Sequence, residues 1–311
     1  MKKAVYGLLA LVTLAPLAAV AQIKAGDLPG NTVWYVHADL RSIRSSEAGA
    51  ALYARFEDEV VNEVREETGI DIGAEVYSIT AFADSDAGST IVVEGPLTKD
   101  TRDKLLALAA QQGPVDAREH KGSGYYFFGD EERIGDNGHE PLEDLEDAVF
   151  VSFAIDGKAL VTGTEQQMRA LLDNKGKIAG AGGHDGALLI LSANKALVQA
   201  GMQPGGMLGD GGHDGDDWES NIVRNTREAA LLVADESGRL AVEAKLVSED
   251  PKMAEAIGGI VNGLIALQSF NSELGPEIRN LLQNTRIAVQ ANVLSISTVV
   301  DPGIVTAILG E

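Results

Sequence analysis

Apolar residues recur along the chain at two alternating periods, and that alternation predicts a mixed fold. Val33-Trp34-Tyr35-Val36-His37-Ala38-Asp39 reads as a strand. A helix over Ser45–Thr68 follows, with Leu52, Phe56, Val60 and Val64 on one stripe and Gly69 as its stop. Strands over Tyr77–Asp84 and Ser89–Leu97, joined through Asp86-Ala87-Gly88, lead into a helix over Lys99–Gln112. An aromatic strand at Tyr125–Phe128 and an acidic loop come next. A hairpin then forms from Val149–Ile155 and Ala159–Thr162 around Asp156-Gly157, and a helix runs over Glu165–Asp173.

The same order then starts again. Ala187–Asn194 is a strand, followed after a Gly/Asp-rich loop by strands over Glu228–Asp235 and Arg239–Val247. Asp250-Pro251 opens a helix, with Asp as N-cap and Pro in the first turn. A short helix at Pro276–Gln283, paired strands over Arg286–Ala291 and Val293–Val300, and a final helix capped by Asp301-Pro302 and ending near Leu309 complete it. Gly88 matches Gly238, Val92 matches Val242, Thr98 and Asp100 match Ser248 and Asp250, and Thr164 matches Asp301. The expectation is an α+β fold of two tandem pseudo-repeats, residues 22–180 and 181–311, made of antiparallel strand pairs with helices on one sheet face. Glycines interrupt the second copy's long helix at Gly258, Gly259 and Gly263. Each costs about 1 kcal/mol relative to Ala, and close approach to a sheet or to the matching helix is the expected reason.

The first 21 residues read as an address. Met1-Lys2-Lys3 is positive, Ala4 to Leu17 is apolar, and Ala19-Val20-Ala21 presents small residues for cleavage before Gln22. The uncharged run Ile257–Phe270 has 14 residues, too short to span a bilayer. A cleavable signal peptide at 1–21 implies export to the bacterial periplasm or outside the cell, with no stable membrane anchor afterwards. The chain has 311 residues, 45% of them hydrophobic, an ordinary balance for a folded protein. Its 47 acidic against 25 basic residues give a net charge of −22, which repels phosphate backbones and anionic lipids and argues against nucleic-acid partners. The absence of cysteine excludes disulfides, thiol catalysis and iron–sulfur clusters.

Candidate chemistry is sparse. Gly182-Gly183-His184-Asp185-Gly186 recurs as Gly211-Gly212-His213-Asp214-Gly215. Imidazole and carboxylate on glycine-rich loops suit a divalent metal ion, with His184, Asp185, His213 and Asp214 as ligands, while two solvated linkers are the structural alternative. His37 and Asp39 stand two apart as a metal pair would, yet Asp39 and its counterpart Asn194 also suit capping. The acidic segment from Asp130 to Asp147 suits a solvated loop or weak Ca²⁺ binding. Tyr125–Phe128 places two aromatics on each side of a strand, one pair for the core and one to cover a neighbour or stack on a ligand; Trp218 raises the same question in a loop. No nucleophile elbow, zinc-protease helix, phosphate loop or dinucleotide fingerprint occurs. The leading expectation is an exported envelope protein with a non-catalytic binding or assembly role, its partner a small ligand or another envelope protein. A metal-binding protein or metal-dependent hydrolase is the alternative.

Overall fold

The computed structural model describes residues 32–84, 88–110, 114–129, 148–178, 186–195, 197, 225–271 and 274–309. Strand β1 (Thr32–Ala38) precedes a helical run: α1 (Leu40–Ser45), α2 (Glu47–Phe56), a π-helical turn (Glu57–Val61), α3 (Asn62–Thr68) and α4 (Ile72–Glu75). Next come β2 (Ser78–Asp84), β3 (Gly88–Glu94), α5 (Lys99–Ala110), β4 (Val115–His120), β5 (Ser123–Gly129), β6 (Ala148–Ser152), β7 (Lys158–Thr162) and α6 (Glu165–Asp173). The remainder is β8 (Ala187–Asn194), β9 (Thr226–Glu236), β10 (Arg239–Ser248), α7 (Pro251–Ser269), α8 (Pro276–Asn284), β11 (Arg286–Gln290), β12 (Val293–Val300) and α9 (Pro302–Leu309). The fold is α+β. No helix among the described residues is long and apolar enough to cross a membrane.

All the strands join one antiparallel sheet in the order β11-β12-β10-β9-β8-β1-β2-β3-β7-β6-β5-β4. At its centre β1 pairs with β8, from Trp34 opposite Ala193 to Ala38 opposite Leu189. Strands from both halves of the sequence therefore share a single sheet.

Neighbouring apolar residues on the inner strands point to opposite faces, so both faces need cover. On one face Val92, Leu160, Phe150, Tyr125 and Phe127 pack with Met168, Leu171 and Leu172 of α6. Tyr35, Phe82, Ile190 and Leu232 extend that layer, and Ile178 packs against both groups. On the other face Ala48 of α2 meets Leu188, Leu240 and Val300, joined by Leu281 of α8 and by Ile304 and Val305 of α9. Helices cover both faces rather than one. The apolar runs Ile91-Val92-Val93 and Ala159-Leu160-Val161, where alternation would have signalled a one-sided sheet, carry the reason.

The helical boundaries follow local chemistry. Asp39, Ser46, Thr164, Asp250 and Asp301 each accept a backbone N–H two or three residues ahead, and Gly69 ends α3 in the left-handed conformation at φ 67°. The expected single helix over Ser45–Thr68 is instead broken by the π turn, whose extra residue rotates the apolar stripe. Val61 is consequently buried, and Val60, placed on that stripe by the sequence, is exposed. In α7 only Gly258 has the expected close approach: a Cβ there would lie 2.7 Å from Val289 Cγ2. Gly259 and Gly263 face open space.

α6 is clamped to the sheet through one carboxylate. Glu165 accepts from the Tyr125 hydroxyl and pairs with Arg169 at 2.9 Å and Arg118 at 3.5 Å. Arg118 in turn lies 4.7 Å over the Phe127 ring. The Tyr125 hydrogen bond, with help from the two guanidiniums, holds the Glu165 carboxyl below its ordinary range. A depressed folded value adds stability that is fully present above the unfolded pKa, about 4.3, and is lost as pH falls through the folded one. Tyr125→Phe is expected to raise the Glu165 pKa in a ¹³C-NMR titration and to flatten the acid limb of stability below about pH 5. An unchanged titration would mean that the hydroxyl does not carry the shift.

Candidate functional site

The four residues that the sequence nominates as metal ligands, His184, Asp185, His213 and Asp214, fall outside the described part of the chain, as do the acidic run Asp130–Asp147 and Trp218. Among the described residues no cluster of three or more His, Asp or Glu side chains could hold a metal ion. His37 and Asp39 serve separate purposes. His37 is buried at the sheet centre with Nδ1 2.8 Å from Thr80 Oγ1 on the next strand, whereas Asp39 caps α1 through Ser42 N at 2.8 Å. Asn194 likewise accepts from Leu197 N, at 3.2 Å.

The feature with the makings of a binding site is an apolar cavity of roughly 390 Å3 between the sheet and α5. Its floor is the sheet face opposite α6: Ile79, Val93, Val161, Val151 and Phe128. Its roof is the inner stripe of α5, Thr101, Leu105, Leu106 and Ala109, which recur at helical spacing. Phe56 from α2, with Ile70 and Ile72 around the turn into α4, closes one side. Of all the lining residues only Glu75 and Thr101 carry polar side chains. Phe128 belongs to the aromatic strand. Its neighbours Tyr125 and Phe127 enter the opposite core, and Phe128 supplies cavity wall instead.

Among the described residues, the polar bonds that tie α5 to its neighbours lie in its first half. Glu75 accepts from Thr98 N at 2.8 Å and from the Thr101 hydroxyl at 2.8 Å, so a carboxylate from α4 caps the first turn of α5 from outside the helix. Lys104 Nζ donates to the Gly69 carbonyl at 2.8 Å. Beyond Lys104 the helix bridges the cavity, with Leu105 and Leu108 each 37% exposed. Glu75 is placed by a tight backbone crossing: a Cβ on Gly95 would lie 2.0 Å from the Glu75 carbonyl oxygen.

An empty apolar space of this size is expensive. At about 24 cal/mol per Å3, a sealed void of this volume would cost on the order of 9 kcal/mol, comparable with the whole net stability of a domain. Opening toward solvent at α5 relieves part of that cost by admitting water to an apolar wall, and an apolar occupant would relieve more.

A second cleft, of roughly 370 Å3, lies where the β4–β5 turn meets the end of α6 and is lined by His120, Lys121, Asp156, Asp173 and Lys175. Asp173 is paired within it, 2.8 Å from Lys121 Nζ and 3.0 Å from His120 Nε2. Lys121, followed by His120, draws the Asp173 carboxyl below its ordinary range. Exposed pairs of this kind contribute little binding energy. Sequence reasoning missed the cavity because its walls come from elements far apart in the chain. The only local signal was the apolar inner stripe of the helix over Lys99–Gln112.

No protein-family model and no curated protein matches the chain. It is similar to solved structures of TP0453. Crystal form I matches at 9% identity over 93% of this chain and 97% of that one, with a TM-score of 0.42. Form III matches at 10% over 93% and 98%, TM-score 0.45, and form IV at 9% over 95% and 98%, TM-score 0.47.

Proposed function

We propose that this chain is a non-catalytic binding protein of the bacterial envelope whose ligand is an elongated apolar small molecule held between α5 and the sheet. The observation that carries the reading is the cavity itself, with its volume in the range of small-molecule sites and its almost wholly apolar lining. Export rests on the N-terminal pattern of Lys2-Lys3, the apolar run and Ala19-Val20-Ala21. The missing catalytic motifs agree with a role in holding rather than transforming the ligand. The metal reading rests on His184, Asp185, His213 and Asp214, which lie outside the described residues.

The scaffold, in this proposal, arose by tandem duplication. From the central β1–β8 pair outward, one side reads β1, β2, β3, β7, β6 and the other β8, β9, β10, β12, β11, with β5 and β4 added beyond β6. The turn glycines Gly88 and Gly238 share a positive φ, 86° and 80°. The equivalence is not residue by residue: Val92 and Val242 face opposite sides of the sheet, as do α6 and α9.

Titration with the uncharged fluorophore N-phenyl-1-naphthylamine tests the binding reading. We expect saturable enhancement, displacement by long-chain alcohols, and at a hundredfold excess over Kd a stabilisation of about 2.7 kcal/mol in thermal unfolding. Ala109→Trp, which fills the cavity from its roof, should weaken binding tenfold or more, on the order of 1.4 kcal/mol. Ala107→Trp, on the exposed side of α5, should leave it unchanged. Equal binding by wild type and Ala109→Trp would remove the cavity from consideration. Glu75→Ala releases the first turn of α5 at a cost of about 1 kcal/mol. Its expected signature is severalfold faster probe dissociation in stopped flow, and an unchanged rate would show that the mooring does not gate the cavity.

A further inference from the structure

The outer face of α7 is the largest stretch of apolar side chain that the described residues leave uncovered. Ala254, Ile257 and Gly258 turn inward against β11 and β12, and the opposite side presents Ile260, Leu264, Leu267 and, just past the helix end, Phe270. Leu267 is 67% and Phe270 87% exposed. The middle of this face is a groove of small residues, Ala256, Gly259 and Gly263, all exposed; a Cβ built on either glycine meets nothing within 4 Å. Nothing inside the described chain requires these glycines, although each weakens the helix.

We infer that this face is a two-fold interface on which a second copy of the chain packs its own α7, ridge of Ile260 and Leu264 into groove of Gly259 and Gly263. Charge selects that occupant. A chain of net charge −22 repels its copies wherever charged surfaces meet, whereas Ile257–Phe270 contains no charged residue. A membrane surface is disfavoured by the same composition, because interfacial helices flank their apolar face with Lys and Arg, and α7 holds only Lys252, offset by Glu255. Area agrees. The four large residues expose about 480 Å2, taking about 200 Å2 for each. One side of a standard dimer needs about 800 Å2, some 65% of it apolar in homodimers, or about 520 Å2. The groove-and-ridge pattern is self-complementary about a two-fold axis, which closes at two copies.

Sedimentation velocity of the purified full chain from about 1 to 100 μM tests the interface, in the micromolar range expected for a modest dimer. The expected result is a monomer–dimer equilibrium for wild type and a monomer at every concentration for Leu267→Glu. Gly263→Leu keeps the helix and fills the groove, so it should be monomeric with a melting temperature no lower than that of the wild-type monomer. A wild-type monomer at 100 μM, or dimers that survive both substitutions, would overturn the inference. So would open-ended oligomers, or a monomer that instead co-sediments with phosphatidylcholine or phosphatidylglycerol vesicles.

Discussion

The antiparallel pairing of β1 with β8 is the constraint on which the remaining architecture depends. It turns two strand runs, far apart in sequence, into one sheet and puts their first strands where both faces are buried. The Asp39 N–H donates to the Leu188 carbonyl at 3.0 Å, extending the pairing to the point where α1 begins. Buried polar groups on a central strand generally require hydrogen-bond partners. The His37–Thr80 bond meets that requirement across β1 and β2, while burial pushes the fully enclosed Tyr35 hydroxyl upward in pKa. The imidazole that resembles a metal ligand in the sequence is thus part of the cross-strand bonding of the core.

Two buried faces also dictate where the helices go. α6 seals one face with Met168, Leu171 and Leu172 and with the Glu165 clamp. On the other, α2 packs tightly through Ala48, whereas α5 is held at its first turn by Glu75 and in its second by Lys104. The difference lies in the anchor. A helix fixed by polar bonds at one end is free to stand away from the sheet at the other, and side chains on α5 do not fill the intervening space. The cavity lies beneath the half of α5 beyond these bonds.

Elements with strong local causes were legible in the sequence. Caps at Asp39, Thr164, Asp250 and Asp301, the stop at Gly69 and the hairpin around Asp156-Gly157 each depend on chemistry within a few residues, and each stands where that chemistry puts it. The π turn at Glu57–Val61 was not legible, since it answers to packing beyond the helix: Tyr53 and Val61 both lie within reach of Gly73. β4 was missed because Val115–His120 carries one strongly apolar residue, Val115, and that residue is exposed at the sheet edge. The cavity was illegible for a third reason. Its walls are contributed by β2, β3, β5, β6, β7 and four helical segments or turns, and a volume left between elements has no sequence period.

Among the described residues, the two helices that leave apolar surface uncovered follow strands at matching places in the sheet order. α5 follows β3 and α7 follows β10, each the third strand outward from the centre on its side of the sheet. Local and global preferences agree through most of the molecule, and departures from that agreement concentrate where a protein meets something else. Here one helix leaves its inner stripe over open space and the other turns a glycine-lined face to solvent. One helix thus has an inward-facing and the other an outward-facing apolar surface, according to how tightly each lies on the sheet. Gly258 lets α7 press against Val289 and Leu294 and sends its surplus apolar residues outward, while α5 has no glycine among Lys99–Ala110 and leaves its own facing a gap.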